Sequence, residues 1–216
     1  MPLWKKNARR DMKQSDHSSL SEQDWDKKLH IFTCGRDAAE EDDHHFPYEP
    51  TPYIVLGRLA VSGYIKRESR VLDYGCGKGR VCIFFSSECG CCATGIDFSE
   101  KMISAAQENL VRFACRNLVR FQCCPAEQYE VTEEDTFFFF NPFTDTVLHS
   151  VIGRIRRSWY EKPRLIRLLF YYPSDEFVAC LMTEPDLEFE DEIDCRDLFE
   201  GENPRERILI FAMRAN

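Results

Sequence analysis

The chain has 216 residues, 44% of them hydrophobic and 30% charged, the balance of one globular domain with a modest extension rather than of a fibrous or disordered protein. Its net charge of -9 argues against the broad basic footprint that non-specific nucleic-acid binding requires. The opening MPLWKKNARRDMKQSDHSSL is polar almost throughout, and the longest apolar runs, 137–140 and 208–213, fall far short of the roughly 20 residues of a membrane span, so the expectation is a soluble, cytoplasmic protein.

Residues 1–47 read as an N-terminal extension, partly disordered or a lid, in which Trp25, Leu29, Ile31 and Phe32 form a compact apolar group with room for one short helix. The main domain is predicted over 48–216. In YEPTPYIVLGRLAVSGYI, Pro52 suits a first helical turn, and Ile54, Val55, Leu59 and Ile65 supply one apolar face. Strand and helix signals then alternate, the pattern of a mostly parallel sheet covered on both faces. Strands are predicted at 70–74, 91–97, 120–124, 136–141 and 164–172, with helices at 79–87, 99–114, 144–157 and 174–182. LEFEDEI (187–193) and RILIFAM (207–213) read as a final strand pair, joined by a segment that Gly201 and Pro204 keep irregular. Seven strands result, and the fold class is α/β, a Rossmann-like three-layer sandwich.

Eleven cysteines in a chain without a signal peptide read as reduced thiols, with Cys82, Cys92 and Cys123 acting as small hydrophobes inside apolar stretches. CGCC (89–92) sets Cys89 and Cys92 two residues apart, but no second pair of that spacing accompanies it and Cys123–Cys124 are adjacent, so the paired spacing of common zinc sites is absent and no metal is expected. The basic stretch formed by Arg154, Arg156, Arg157, Lys162, Arg164 and Arg167 reads as a solvated helix face and turn before it reads as a phosphate track.

The most informative segment is VLDYGCGKGR (71–80), a hydrophobic strand ending in Asp73 that runs into Gly75, Gly77 and Gly79 before a helix. Such glycines serve where the backbone adopts positive φ, and where a ligand comes closer than a Cβ permits. The next strand ends at Asp97, 18 positions beyond Gly79, close to the spacing at which a Rossmann acid holds ribose hydroxyls. A nicotinamide dinucleotide is disfavoured, because position 80 is Arg where GxGxxG needs its third glycine. A carboxylate at the loop entrance suits an ammonium and a sulfonium better than a pyrophosphate. The expectation is a cradle for a cationic nucleoside, built from the backbone amides of the three glycines and the two carboxylates.

At VLDYGCGKGR and GIDFSEKM the chain resembles the class I S-adenosylmethionine-dependent methyltransferases, and the order of elements follows that family over about residues 48–213. The resemblance implies a sheet of order 3-2-1-4-5-7-6 with the last strand antiparallel, and S-adenosyl-L-methionine as cofactor. It assigns cofactor binding to Asp73, Gly75, Gly77, Gly79, Asp97 and Phe98, with Ala126 and Glu127 beside the adenine. The combination of YEPTPY, FFFFNPF and YYPS also resembles a group of uncharacterised bacterial methyltransferases.

The fourth strand delivers Asn141, Pro142 and Phe143, which resemble the Asn-Pro-Pro-Tyr motif of amino methyltransferases, with the second Pro absent and Phe in place of Tyr. The resemblance implies that these three residues hold the acceptor. Methyl transfer from a sulfonium disperses charge, so positioning and exclusion of water can suffice. If a general base is used, His44, His45, Tyr48, Tyr171 and Tyr172 are its candidates, the histidines carried on an N-terminal lid. The acceptor is expected to be a nitrogen or oxygen of a small molecule or protein. Methylation of nucleic acid, and a non-catalytic cofactor-binding module, are the alternatives.

Overall fold

The computed structural model describes residues 20–35 and 48–214. Six α-helices are described: α1 (Glu22–Leu29), α2 (Tyr53–Val61), α3 (Arg80–Glu88), α4 (Glu100–Arg112), α5 (Asp145–Glu161) and α6 (Asp175–Thr183). Seven strands, β1 (Arg70–Tyr74), β2 (Cys92–Asp97), β3 (Val119–Cys123), β4 (Thr136–Phe139), β5 (Ile166–Tyr171), β6 (Glu188–Asp194) and β7 (Arg207–Met213), form one sheet of order β3-β2-β1-β4-β5-β7-β6. β7 runs antiparallel to both of its neighbours, and the remaining pairs are parallel. This is the α/β sheet the sequence implied. Among the described residues no helix is long and apolar enough to cross a membrane.

Several boundaries move for local reasons. The helix expected to reach Ile65 stops at Val61, because Gly63 turns the chain at φ +84°; Ile65 is buried all the same. The helix expected to end at 157 continues to Glu161 and stops one residue short of Pro163, which disfavours helical backbone in its predecessor. Cys82 is fully buried, but Cys92 and Cys123 are exposed rather than packed, since one opens β2 and the other closes the edge strand β3.

The central strands are apolar on both faces, as a covered parallel sheet demands. One face packs against α2, α3 and α4 through Val71, Phe138 and Leu169, and the other against α5 and α6 through Leu72, Phe137 and Phe139. Register places Tyr74, Phe139 and Phe170 side by side on β1, β4 and β5. Their rings stack, at 5.0 Å and 7° for the first pair and 4.4 Å and 8° for the second. Each stacked pair adds about 0.5–1.5 kcal/mol beyond its area burial.

The segment 20–35 shares this core, with Trp25, Leu29 and Ile31 packed among Tyr53 and Phe84. Arg80, only 2% exposed at the start of α3, ties it down. Its guanidinium donates to Thr33 Oγ1 (2.7 Å), the Thr51 carbonyl (3.0 Å) and Glu22, and lies over the Tyr53 ring. Asp26 in turn accepts from the Thr33 hydroxyl, the Thr33 N–H and the Tyr53 hydroxyl. The basic stretch is likewise spent on the fold. Arg156 pairs with Glu184, Arg167 with Glu190 on the charged edge strand β6 (2.8 Å), and Arg164 donates to the Glu134 carbonyl (2.7 Å). Because Arg80 belongs to a buried charge network, Arg80→Ala strands its partners, and chemical denaturation should register a loss of about 3 kcal/mol.

Candidate functional site

The strand order reverses between β1 and β4, and a ligand crevice in an open α/β sheet lies outside the strand ends at such a point. A cleft of about 850 Å³ occupies that position, a volume suited to a nucleoside-sized ligand. Gly75 from the β1 end, Asp97 and Phe98 from the β2 end, Ala126 after β3 and Asn141, Pro142 and Phe143 after β4 all line it. The Tyr74–Phe139–Phe170 stack lies just inside the same strand ends, giving the cleft a rigid base.

The glycine loop does not offer the amide cradle expected of it. Gly75 N–H donates to the Ile96 carbonyl (2.9 Å), Gly79 N–H to the Cys76 carbonyl (2.8 Å) and Gly77 N–H to Asp97 Oδ2 (2.9 Å). All three donors are consumed within the protein, because a tight turn between adjacent strand ends must satisfy its own backbone. The close approach that excludes a Cβ also comes from protein. A Cβ on Gly77 (φ +49°) would stand 2.3 Å from the Tyr48 ring, and one on Gly75 (φ +75°) 2.6 Å from Pro142 Cβ. At the α3 cap a Cβ on Gly79 would meet Phe121. Asn109 braces the loop from α4, donating to the Lys78 carbonyl (2.9 Å) while its Oδ1 accepts from Phe32 N–H.

Asp97 accepts at Oδ2 from Gly77 and at Oδ1 from Ser99 N–H (3.0 Å), which orients its carboxylate where β2 opens into the cleft. Ser99 then caps α4 by accepting from Met102 N–H. Asp73 lies elsewhere. Its side chain is buried beneath the loop, beside a side pocket of about 30 Å³ that shares Tyr48, Glu49, Gly75 and Phe140 with the cleft. Asp73 Oδ2 has no hydrogen-bond partner, and burial, reinforced by nearby Asp97, pushes its carboxyl well above the usual carboxylate range.

Gly77, Gly79 and Glu127 do not line the cleft. Asn141 does, at a left-handed φ of +40° that asparagine tolerates. Its Nδ2 donates to the Tyr172 carbonyl (2.7 Å), and since a carbonyl only accepts, this settles the amide orientation and leaves Oδ1 as the accepting end. The Phe143 ring is 2% exposed and packs edge-on against Tyr74 and Phe139, so its ring belongs mostly to the core.

Among the candidate bases, His44 and His45 lie outside the described residues. Tyr48 and Tyr171 donate their hydroxyls to the Thr33 carbonyl and to Glu206 (2.7 Å each), and burial raises both phenols. Neither suits a general base. Tyr172 accepts from Asn203 Nδ2 under the stacked Arg205 guanidinium. Sequence reasoning missed Glu49, Asp145, Glu176, Arg205 and Glu206, which also line the cleft. Glu49 lies within YEPTPY ahead of α2, whereas no motif announces the others, which come from the starts of α5 and α6 and from the turn before β7.

A family model described as a methyltransferase domain matches residues 71–158. Solved structures similar to this chain include an RNA methyltransferase from Salinibacter ruber in complex with S-adenosyl-L-homocysteine, at 18% identity over 78% of this chain and 95% of that one, TM-score 0.53. Another is the Pyrococcus abyssi tRNA (uracil-54, C5)-methyltransferase, also with S-adenosyl-L-homocysteine, at 19% identity over 76% of this chain and 39% of that one, TM-score 0.54. A third is a TehB-like SAM-dependent methyltransferase from Corynebacterium glutamicum, at 16% identity over 73% of this chain and 86% of that one, TM-score 0.52. Among curated proteins the sequence has no match. Residues 71–158 thus match a methyltransferase-domain model, and the chain has the class I methyltransferase fold.

The raised carboxyl has a measurable consequence. The unfolded chain ionises Asp73 at an ordinary carboxylate pKa, whereas the unliganded fold holds on to the proton, so stability falls as pH rises from that value towards the folded one. Asp73→Asn removes the penalty. It should raise the unfolding midpoint of the unliganded protein at neutral pH by about 2–4 °C, roughly 1 kcal/mol for a chain of this size, with the gain vanishing in acid. Thermal melts at a series of pH values check it.

Proposed function

We propose that the chain is an S-adenosylmethionine-dependent methyltransferase whose acceptor is a nitrogen or oxygen of a small molecule or protein. The observation that carries this is the cleft at the sheet's reversal point, with Asp97 oriented at its edge and Asn141–Pro142 opposite. The residues fit the cofactor. The buried, unpartnered Asp73 Oδ2 is an acceptor that a nearby positive charge would relieve, and Asp97 presents a carboxylate suited to ribose hydroxyls. When bound, the cofactor supplies an electrophilic methyl group on a sulfonium.

In this reading Asp97 orients the ribose, Phe98 and Ala126 flank the adenine, and Gly75 borders the methionine portion. Asn141 Oδ1 accepts a hydrogen bond from the acceptor, and the Pro142 wall and the aromatic base exclude water. Asp73 acts by charge from beneath the loop. Tyr48 and Tyr171, held as neutral phenols, shape the cavity without moving a proton.

The charge of the cleft supports an amine-bearing acceptor over a polyanion. Glu49, Asp145, Glu176 and Glu206 line it against the single guanidinium of Arg205, which is itself engaged with the Pro173 and Tyr172 carbonyls. Phosphates entering such a cleft would meet an excess of acidic side chains over basic ones. Two of the similar structures are RNA methyltransferases, so the nucleic-acid reading is tested beside this one.

Calorimetric titration with S-adenosylmethionine should give saturable binding that Asp97→Ala weakens by about 10-fold or more, from the loss of charge-assisted hydrogen bonds. Unchanged affinity in the variant would remove the ribose assignment, and absence of binding to the wild type would remove the cofactor. With methyl-labelled cofactor, amine acceptors should be labelled and RNA and DNA should not. Asn141→Gly keeps the left-handed backbone while deleting the amide, and should lower kcat/KM by about 100-fold with cofactor affinity retained.

A further inference from the structure

Outside the cleft, α5 and α6 bring together three side chains of different donor chemistry. His149 Nδ1 lies 3.2 Å from Glu184 Oε1, and Cys180 Sγ lies 3.7 Å from His149 Nδ1 and 3.5 Å from Nε2. All three residues can place a ligand atom within 4.8 Å of the other two, and among the described residues this is the one such trio. Cys180 sits in the last turn of α6 and Glu184 is the first residue beyond its end, and both meet His149 on α5. None of the three lines the cleft.

We propose that His149, Cys180 and Glu184 bind a zinc ion that bridges α5 and α6. With zinc bonds of about 2.3 Å to sulfur and about 2.0–2.2 Å to nitrogen and oxygen, tetrahedral ligand atoms sit about 3.2–3.6 Å apart. The two separations from His149 Nδ1, 3.2 Å to Glu184 Oε1 and 3.7 Å to Cys180 Sγ, lie close to that range. One sulfur, one imidazole nitrogen and one carboxylate oxygen form a borderline donor set that suits zinc and not magnesium or calcium. Glu184 Oε2 is held by Arg156, which orients the carboxylate and leaves Oε1 turned to the ion. The Cys180 residue is buried and the Glu184 side chain 11% exposed, whereas that of His149 is 57% exposed, so the site has fixed walls and an open door. Three protein ligands leave a fourth position to water.

Asp145 lies four residues before His149, and Glu176 four before Cys180, and both carboxylates line the cleft. The ion therefore ties the two helices about one turn from the acceptor end. The cysteine clusters at 89–92 and 123–124 play no part.

The test uses the full chain stripped with a chelator and titrated with zinc, by calorimetry and by competition with a chromophoric chelator. Cobalt serves as the spectroscopic probe. One equivalent should bind, with a thiolate-to-cobalt charge-transfer band that disappears in Cys180→Ser and persists in Cys123→Ser/Cys124→Ser. His149→Ala and Glu184→Gln, both changes at accessible or isosteric positions, should weaken zinc by more than the about 10–100-fold expected for loss of an outer-shell partner. Circular dichroism establishes that each variant is folded. Equal affinity in wild type and the three ligand variants, or a charge-transfer band that survives Cys180→Ser, would overturn the proposal. The readout needs neither cofactor nor acceptor, so its failure would leave the methyltransferase reading untouched.

Discussion

The geometry of the cleft depends on one carboxylate. Asp97 receives the amide of Gly77 from the neighbouring loop and that of Ser99 from its own strand end, so a single side chain joins the glycine loop, the tip of β2 and the start of α4. Charge-assisted bonds of this kind are shorter and stronger than neutral ones, and here they help close a turn of positive-φ glycines that the Ile96 and Cys76 carbonyls and Asn109 also hold. Protein fills the remaining space, with Tyr48 and Pro142 standing where side chains on Gly77 and Gly75 would be. The loop is therefore shaped before any ligand arrives, and what it offers the cleft is contour more than hydrogen-bond donors.

The sheet behind the loop has the stiffness this arrangement needs. Parallel register sets Tyr74, Phe139 and Phe170 in line, and each ring removes the freedom of the next. Phe143 turns back onto that stack, which explains why an aromatic follows Asn141–Pro142 even though its face is barely exposed. Beside it, the left-handed turns at Asn141 and Tyr172 are joined by one side-chain amide, so the tips of β4 and β5 are fixed relative to each other.

Charge is distributed with a comparable division of labour. The basic residues along α5 and into β5 pair with α6, the edge strand and backbone carbonyls, and contribute to cohesion. The carboxylates of Asp145, Glu176 and Glu206 are instead presented to the cleft. With the arginines of the α5–β5 stretch committed internally, the cleft keeps a negative mouth, and this electrostatic asymmetry underlies the preference proposed for the acceptor.

Much of the fold was legible in the chain because its cues are local. The period of apolar residues, the glycines after Asp73, the cap at Ser99 and the acidic tip at Asp97 each act over a few residues, and they are enough to define the strands, the helices and the region where the crevice opens. Helix ends were less legible, since Gly63 and Pro163 overrule periodicity. What the loop amides bond to, which atoms fill the glycine spaces, and the company kept by Arg80, His149 and Cys180 were decided only in three dimensions. Apart from the Gly79–Cys76 bond, those partners lie about twenty or more residues apart along the chain, and a hydrogen bond or a packed ring leaves no periodic trace in either partner's neighbourhood.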